Sequence, residues 1–168
     1  MAITRTPIID DDGTGTTGTV LDNAWKQELY DQIDAAGALV APAMQTLPYS
    51  ASNYSIVGAG AWTVDSSDQI AYRYRVVNKV LALILTIQAS TVVSPVTFFG
   101  IKLPPGMAVT YEQGGVCVVF DGGTPAPCYW AINMGDPTKI LIGRMDGNNF
   151  SPATNATQIR LNAAIEIG

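Results

Sequence analysis

The chain has 168 residues, of which 48% are hydrophobic and 14% charged, and this composition predicts one folded domain with a buried core. Its formal net charge of −5 excludes a strongly basic surface of the kind that binds nucleic acid, since neutralising phosphates requires clustered lysine and arginine. The absence of histidine excludes histidine-dependent catalysis and imidazole-bound zinc, so neither an enzyme nor a cofactor is expected.

Residues 1–19 are rich in threonine, glycine and aspartate and are predicted to form an extended N-terminal arm. Residues 1–37 contain two bases and seven acids, a net charge of 2 − 7 = −5, whereas residues 38–168 hold seven charges of each sign. We expect contact with another protein to order this arm. The residues expected to anchor it are Ile3, Arg5, Ile8 and Ile9. Neither a secretory signal nor a membrane helix is expected, because the longest apolar stretch, at 80–87, is far short of the ~20 residues that a span requires.

The arm contains "GTGTTG" at residues 13–18, a literal match to the dinucleotide-binding pattern G-x-G-x-x-G. A dinucleotide site needs a buried strand before the glycines, but the residues that precede them are "IIDDD". Three carboxylates beside a pyrophosphate would repel it. The motif therefore predicts a glycine- and threonine-rich arm, with no bound nucleotide.

The same segment partly matches a calcium-binding loop. Asp10, Asp12 and Thr14 occupy the first, third and fifth positions of such a loop, and Gly15 occupies the sixth. Position twelve should be a bidentate glutamate but is Leu21. Because this ligand set is incomplete, a solvated acidic turn is preferred to a calcium site, and no metal is predicted.

Residues 20–37 are predicted to form one amphipathic helix. Asp22 is a suitable N-cap and Gly37 a suitable C-terminal stop. Apolar residues recur at every fourth position, which places them in a single stripe. That stripe, the expected seam between subunits of an oligomer, consists of Leu21, Trp25, Leu29 and Ile33. Residues 38–49 are predicted to be a linker.

Residues 50–168 show the two-residue period of β-strands. In "IAYRYRVV", Tyr72 and Tyr74 share a face, and Asn78 is suited to the tight turn that follows. The strand 80–89 is apolar on both faces and is predicted to be central. Further strands are expected at 54–57, 61–65, 97–103, 109–112, 115–120, 128–133, 139–143 and 158–167. This pattern predicts a mainly β fold, an antiparallel jelly-roll-like β-sandwich preceded by the extended arm and one α-helix.

The two cysteines are placed symmetrically about Gly122 and Gly123. A two-residue turn at these glycines would set Cys117 directly opposite Cys128 on paired strands. Opposed cysteines at this spacing fit either a disulfide or two buried thiols, and the absence of a predicted secretory signal favours the thiols.

Two further groups of residues have alternative interpretations. Asp65 and Asp68 flank a turn near Trp62, as a glycosidase carboxylate pair does, but a structural turn is favoured. Exposed aromatic rings stack on sugars and would mark a surface that binds host glycan, whereas core or interface packing is the favoured role. The aromatic residues in question are Trp62, Tyr72, Tyr74, Tyr129 and Trp130.

Three stretches, "AITRTPIIDDDGTGTTGTVLDNAWKQELYDQIDAA", "YSASNYSIVGAGAWTVDSSDQIAYRYRVVNKVLALILTIQASTV" and "IKLPPGMA", resemble small structural proteins of tailed bacteriophages. In those proteins a T-G-T…N-x-W…YD-x-I-D arm and helix precede a β-sandwich with a W-T-V…Y-x-Y…K-V…L signature. The resemblance covers roughly residues 2–108. One departure is Asn78, which stands where such proteins often carry glycine.

The resemblance implies a virion structural protein that assembles with itself, usually as a homotrimer, and with the major capsid protein or other head or tail proteins. Because 168 residues leave no room for a long shaft, it favours a capsid decoration or cement protein that docks through the arm and helix. The alternative is a short tail fibre or receptor-binding protein that recognises host surface glycan through the sandwich.

Overall fold

The computed structural model describes residues 27–33 and 42–168. The chain divides between residues 40 and 41 into two units, one containing the described helix and the other containing the β domain. Helix α1, at residues 27–33, lies within the predicted range 20–37. The predicted cap residues Asp22 and Gly37 and the predicted arm lie outside the described residues.

The β domain contains ten strands, joined by antiparallel ladders only. The mainly β, antiparallel fold predicted from the sequence is therefore confirmed. The strands are β1 (Gln45–Thr46), β2 (Tyr54–Val57), β3 (Ala61–Thr63), β4 (Gln69–Val77), β5 (Val80–Ser94), β6 (Phe98–Lys102), β7 (Gln113–Asp121), β8 (Thr124–Ile132), β9 (Lys139–Arg144) and β10 (Ala153–Glu166).

A single curled sheet forms the sandwich-like fold. Its strand order is β1-β4-β5-β10-β7-β8-β9-β6-β2, and β3 pairs with β5 beside this path. Residues from both halves of this order share one buried core, including Leu81 and Leu85 of β5 and Ile140 and Ile142 of β9. The curled sheet thus has an inner side filled by the core and an outer side that faces away from it.

Strand β5 shows how sequence and fold diverge. Leu81, Leu83, Leu85 and Ile87 are buried, but on the alternate positions Val80 is 39% exposed and Ile84 is 41% exposed. The strand has neighbours on both edges, β4 and β10, so its predicted internal position in the sheet is confirmed. Only one of its two apolar faces is covered within the β domain.

The end of β5 was predicted at residue 89, but the strand continues to Ser94. Ala89 has a φ of 57°, and at this position the ladder to β10 is irregular. The inward positions change there from odd to even numbers, so that Ser90 and Val92 are buried. A bulge of this kind interrupts the two-residue period, which explains why the period alone predicted an early end.

Both predicted hairpin turns are confirmed. Asn78 and Lys79 have φ values of 49° and 64°, and Gly122 and Gly123 have φ values of 55° and 83°. Two consecutive positive values are typical of the type I′ turn that joins tightly paired strands.

Two predictions about strands were wrong. Residues 109–112 form no strand; Val109 is buried, and its backbone N–H donates to the Pro137 oxygen at 3.0 Å. The segment contains residues that favour strands, but it forms no ladder with a neighbouring strand. Conversely, β1 lies in the predicted linker, where its two residues pair with Arg73 and Tyr74. A strand of two residues is too short to produce a periodic signal.

Candidate functional site

The outer side of β4, β5 and β10 forms a surface that we call the basic face. The register places Arg73 beside Ile84 and Arg75 beside Ala82, while Arg160 lies beside β5 on the other flank. Arginines therefore border the exposed apolar positions of β5 on the β4 side, whereas Arg160 lies beyond these positions, beside Thr86. A shallow groove on this face is lined by residues including Met44, Arg75, Ala82, Ile84 and Asn162.

Several charged side chains elsewhere in the β domain form ion pairs. Lys139 pairs with Asp136 at 2.9 Å, and Arg144 pairs with Asp121 at 2.7 Å and with Asp146 at 2.5 Å. In the part of the chain that the structure describes, by contrast, Arg73 and Arg75 form no ion pair. The basic face therefore carries uncompensated positive charge.

Arg160 and Glu166 are two further charged residues on the basic face. The guanidinium of Arg160 lies 5.7 Å from the ring centroid of Phe120, which is a cation–π distance. Among the outward residues of β4, β5 and β10, Glu166 is the one acid, and its carboxylate accepts a hydrogen bond from the Tyr111 hydroxyl. The basic face thus carries three arginines and one carboxylate, and this carboxylate already accepts a hydrogen bond.

The outer side of β7, β8, β9, β6 and β2 forms a second surface, which we call the apolar face. The ladder register aligns Val116, Tyr129, Gly143, Phe98 and Val57 in one row across it. Val116 is 72% exposed, and a Cβ at Gly143 would lie 2.8 Å from the Phe98 ring and 3.1 Å from the Tyr129 ring. The two rings can therefore approach each other only because residue 143 has no side chain.

The structure removes three of the five aromatic residues considered as a glycan surface. Trp62, Tyr72 and Trp130 are buried in the core. The Trp62 Nε1 donates to Ser90 Oγ at 3.0 Å, and the Tyr72 hydroxyl donates to the Lys102 carbonyl. The reason is strand alternation, which directs these side chains to the inner side of the sheet.

The other two aromatic residues are half-buried. Tyr74 packs against the core from the inner side, and Tyr129 lies on the apolar face. Of the predicted set, Tyr129 alone is thus on a surface where a ring can stack against a ligand.

The Asp65–Asp68 pair braces a turn, which is the structural role that the sequence favoured. The Asp65 N–H donates to Asp68 Oδ2 at 2.8 Å, and the Asp68 N–H donates to the Asp65 oxygen at 3.0 Å. Asp68 is buried, so its carboxylate is engaged by the backbone that it supports. This arrangement fixes the connection between β3 and β4.

Cys117 and Cys128 are directly opposed, as the symmetry about the glycine turn predicted. Both are free thiols in the structure. Burial raises the pKa of Cys117 to about 12 and that of Cys128 to about 11. Because the thiolate is the reactive form, these pKa values make both groups poor nucleophiles at neutral pH.

An ion-pair cluster, which the sequence did not predict, ties the apolar half of the sheet together. Arg144 at the end of β9 bridges Asp121 at the end of β7 and Asp146 in the following loop. Asp121 is buried and also accepts the Ser151 N–H at 3.0 Å. The hydrogen bond from Arg144 lowers the pKa of Asp146 below its usual range. These charges are mutually satisfied, so the cluster fits a structural role.

Helix α1 presents the described half of the predicted oligomer seam. Leu29 is 38% exposed and Ile33 is 46% exposed, one turn apart. The other two seam residues, Leu21 and Trp25, lie outside the described residues. So do the predicted arm anchors, the glycine motif and the residues of the partial calcium loop, namely Ile3, Arg5, Ile8, Ile9, Asp10, Asp12 and Thr14.

Metal-ligand clusters and membrane-spanning helices were the two other kinds of site to consider in the described residues. No group of three or more histidine, cysteine, aspartate or glutamate side chains is arranged to hold a metal ion there. Within the same residues, no helix combines the length and apolar character needed to cross a membrane.

No protein family, curated protein or solved structure matches this chain.

Proposed function

We propose that this chain is a structural subunit of a tailed-bacteriophage virion, a homotrimeric capsid decoration or cement protein that docks through its N-terminal arm and helix. The observation that carries the assembly part is the apolar stripe of α1, where Leu29 and Ile33 are both exposed. Exposed apolar residues at successive turns favour burial against another surface. The virion part rests on the sequence resemblance across residues 2–108.

The polar composition around this stripe supports self-association. Gln27, Glu28, Asp31 and Gln32 surround the two apolar residues, and the Gln27 amide donates to Asp31 Oδ1 at 2.7 Å. A narrow apolar stripe with polar flanks is the pattern of helices that pack on symmetric copies of themselves. The helix therefore supplies a seam, while the predicted arm supplies a separate attachment.

The number of copies in each virion tests the proposed location. Quantitative mass spectrometry of particles from the phage that encodes this chain should give a count comparable with that of the major capsid protein. Deleting residues 2–19 should then release the protein from the particles. A count of only a few trimers, or full attachment without residues 2–19, would contradict the decoration role.

The self-association seam has its own test in the purified full-length chain. Replacing Leu29 and Ile33 together by aspartate should convert the oligomer to a monomer in sedimentation velocity, because each charge would have to be buried at the seam. The matched control replaces Gln27 and Gln32 by aspartate on the same helix and should leave the oligomer intact. Equal dissociation of both variants would show that this stripe is not the seam.

A second function, glycan recognition by a short tail fibre, is favoured by one observation. Tyr129 and Phe98 flank Gly143 on the apolar face, and such rings can stack against a sugar. A glycan array probed with the full-length protein should give signals that Tyr129→Ala abolishes. Tyr111→Ala, at an exposed tyrosine elsewhere, should retain them. An array without signal would remove this alternative.

A further inference from the structure

The outward side of β5 is apolar at the positions where an isolated sheet would carry polar residues. Val80 and Ile84 are each about two-fifths exposed, at 39% and 41%, and Ala82 between them is half-buried. A strand with both faces apolar is typical of a sheet that is covered on both sides. This strip therefore has the character of an interface.

Charge distinguishes this strip from an ordinary apolar patch. Arg73 and Arg75 border it on β4, whereas its neighbours on β10 are Asn162, Ala164 and Glu166. Since Arg73 and Arg75 have no ion-pair partner among the described residues, a ligand that brought carboxylates to the β4 side would gain charge-assisted hydrogen bonds. The face is complementary to a peptide that combines apolar and acidic side chains.

The chain itself contains such a peptide. Residues 8–12 read Ile-Ile-Asp-Asp-Asp, and residues 1–37 carry a net charge of −5 while residues 38–168 are neutral. Among the acids of the β domain, Asp121, Asp136 and Asp146 are already in ion pairs, and Glu166 lies on the β10 side of the strip, opposite to the side of Arg73 and Arg75. The acidic excess of this protein therefore lies in the segment that carries two adjacent isoleucines.

The dimensions agree with this pairing. Three adjacent strands span about 10 Å from β4 to β10, because neighbouring strands lie ~4.8 Å apart. An extended segment of five residues reaches roughly 17 Å. Residues 8–12 are thus long enough to place isoleucines on the β5 strip and aspartates against the arginines of β4.

We propose that the basic face binds residues 8–12 of a second copy of this chain. This inference rests on the proposed function, because the homotrimer supplies the second copy. The isoleucine end of the segment, Ile8 and Ile9, covers the strip formed by Val80, Ala82 and Ile84, and its aspartate end pairs with Arg73 and Arg75. Exchange of this segment between copies adds a second set of contacts to the helix seam.

Cross-linking of the full-length protein tests the exchange directly. Pro7→Cys, which leaves the isoleucines and the aspartates in place, is introduced into one tagged version, and Ala164→Cys on the basic face into a version with a different tag. Cys117 is half-buried and Cys128 is buried, and both native thiols react slowly because their pKa values are raised. Mild oxidation of the mixed oligomer should give a disulfide-linked product that carries both tags. Val116→Cys on the apolar face, in place of Ala164→Cys, is the matched control and should give little product.

Charge reversal separates the proposed pairing from chance proximity. Arg73→Glu with Arg75→Glu should lower the yield of the product by about tenfold, a loss of roughly 1.4 kcal/mol. Lys102→Glu, at an exposed lysine on β6, should leave it unchanged. Adding Asp10→Arg and Asp11→Arg to the reversed face should restore the product. Raising the salt to 1 M should weaken the native pairing, because the screening length falls to about 3 Å.

The outcomes distinguish failure of this inference from failure of the proposed function. An intact oligomer without the mixed product, or a product insensitive to charge reversal, would overturn the inference and leave the homotrimer standing. A protein that is monomeric at every concentration would overturn both. The mixed product, lost on reversal and restored by the charge swap, would establish the exchange.

Discussion

The two outward faces of the curled sheet are built by the same strand alternation but differ in their borders. On the basic face, Ala82 and Ile84 lie beside arginines of β4, whereas the row from Val116 through Tyr129 to Val57 on the apolar face contains no charged side chain. Apolar area favours association on both faces, but long-range charge acts on only one. We therefore expect binding at the basic face to depend strongly on salt and binding at the apolar face to depend on it weakly.

We expect the largest change in stability when the ion pair between Arg144 and Asp121, which links strands of the apolar face, is removed. Asp121→Ala should lower the free energy of unfolding by about 3 kcal/mol, because it leaves Arg144 without its buried partner and the Ser151 N–H without an acceptor. Urea denaturation measures this change.

The control for this variant is Asp136→Ala, which breaks the more exposed pair with Lys139. It should cost less than about 1 kcal/mol, as surface pairs do. Equal costs for the two variants would contradict the structural importance of the Asp121 cluster.

The thiols of Cys117 on β7 and Cys128 on β8 are expected to make stability depend on pH. The folded state holds the pKa of Cys117 at about 12 and of Cys128 at about 11, above an unfolded value of roughly 8.5. The unfolded chain therefore loses these protons first, so stability is retained below about pH 8.5 and falls as the pH rises towards the folded values. Raising the pH from 7.5 to 9.5 should cost about 1 kcal/mol for each thiol.

Urea denaturation at the two pH values provides the measurement. A variant with both Cys117→Ala and Cys128→Ala should lose this part of the pH dependence. If the wild-type and variant slopes coincide, the thiols are not the titrating groups.

A smaller change should disturb the apolar face without reaching the basic one. Gly143→Ala places a Cβ 2.8 Å from the Phe98 ring and 3.1 Å from the Tyr129 ring, so both rings must move. We expect a loss of about 1 kcal/mol in the free energy of unfolding, because the rings lie at the surface and can shift. Near-ultraviolet circular dichroism should report altered aromatic packing. An unchanged spectrum would show that the rings are not held by residue 143.

The smallest expected effect concerns the bulge in β5, beyond the strip of the basic face. Ala89→Gly should stabilise the protein by about 0.5 kcal/mol, because glycine adopts the φ of 57° without the steric cost that alanine carries. Ala89→Val should destabilise it. Thermal unfolding of the two variants should therefore move in opposite directions from the wild type.

Local features of the fold were predictable because neighbours in the sequence determine them. Asn78 and the Gly122–Gly123 pair predicted their turns, since each turn needs residues that tolerate a positive φ. Once that turn was assigned, the register that sets Cys117 opposite Cys128 followed directly.

The candidate sites were less predictable, because each depends on strands that are distant in sequence. Arg73 and Arg160 belong to one face only because β4 and β10 both pair with β5. Trp62 was considered as a sugar-binding residue, but it is buried in the core and its Nε1–H donates to Ser90 Oγ. No sequence pattern singled out Arg144 or Asp121, and they meet because the ends of two strands come together.

The sequence by itself determined the antiparallel β class, the tight turns, the alternation of β4 and the concentration of acidic charge before residue 38. These properties depend on composition and on steric preferences that act over a few residues. Only the tertiary structure decided that the second apolar side of β5 lies on the surface and that arginines of β4 border it. Sheet order sets which side chains share a face, and that order is selected by the burial of the whole core rather than by any local segment.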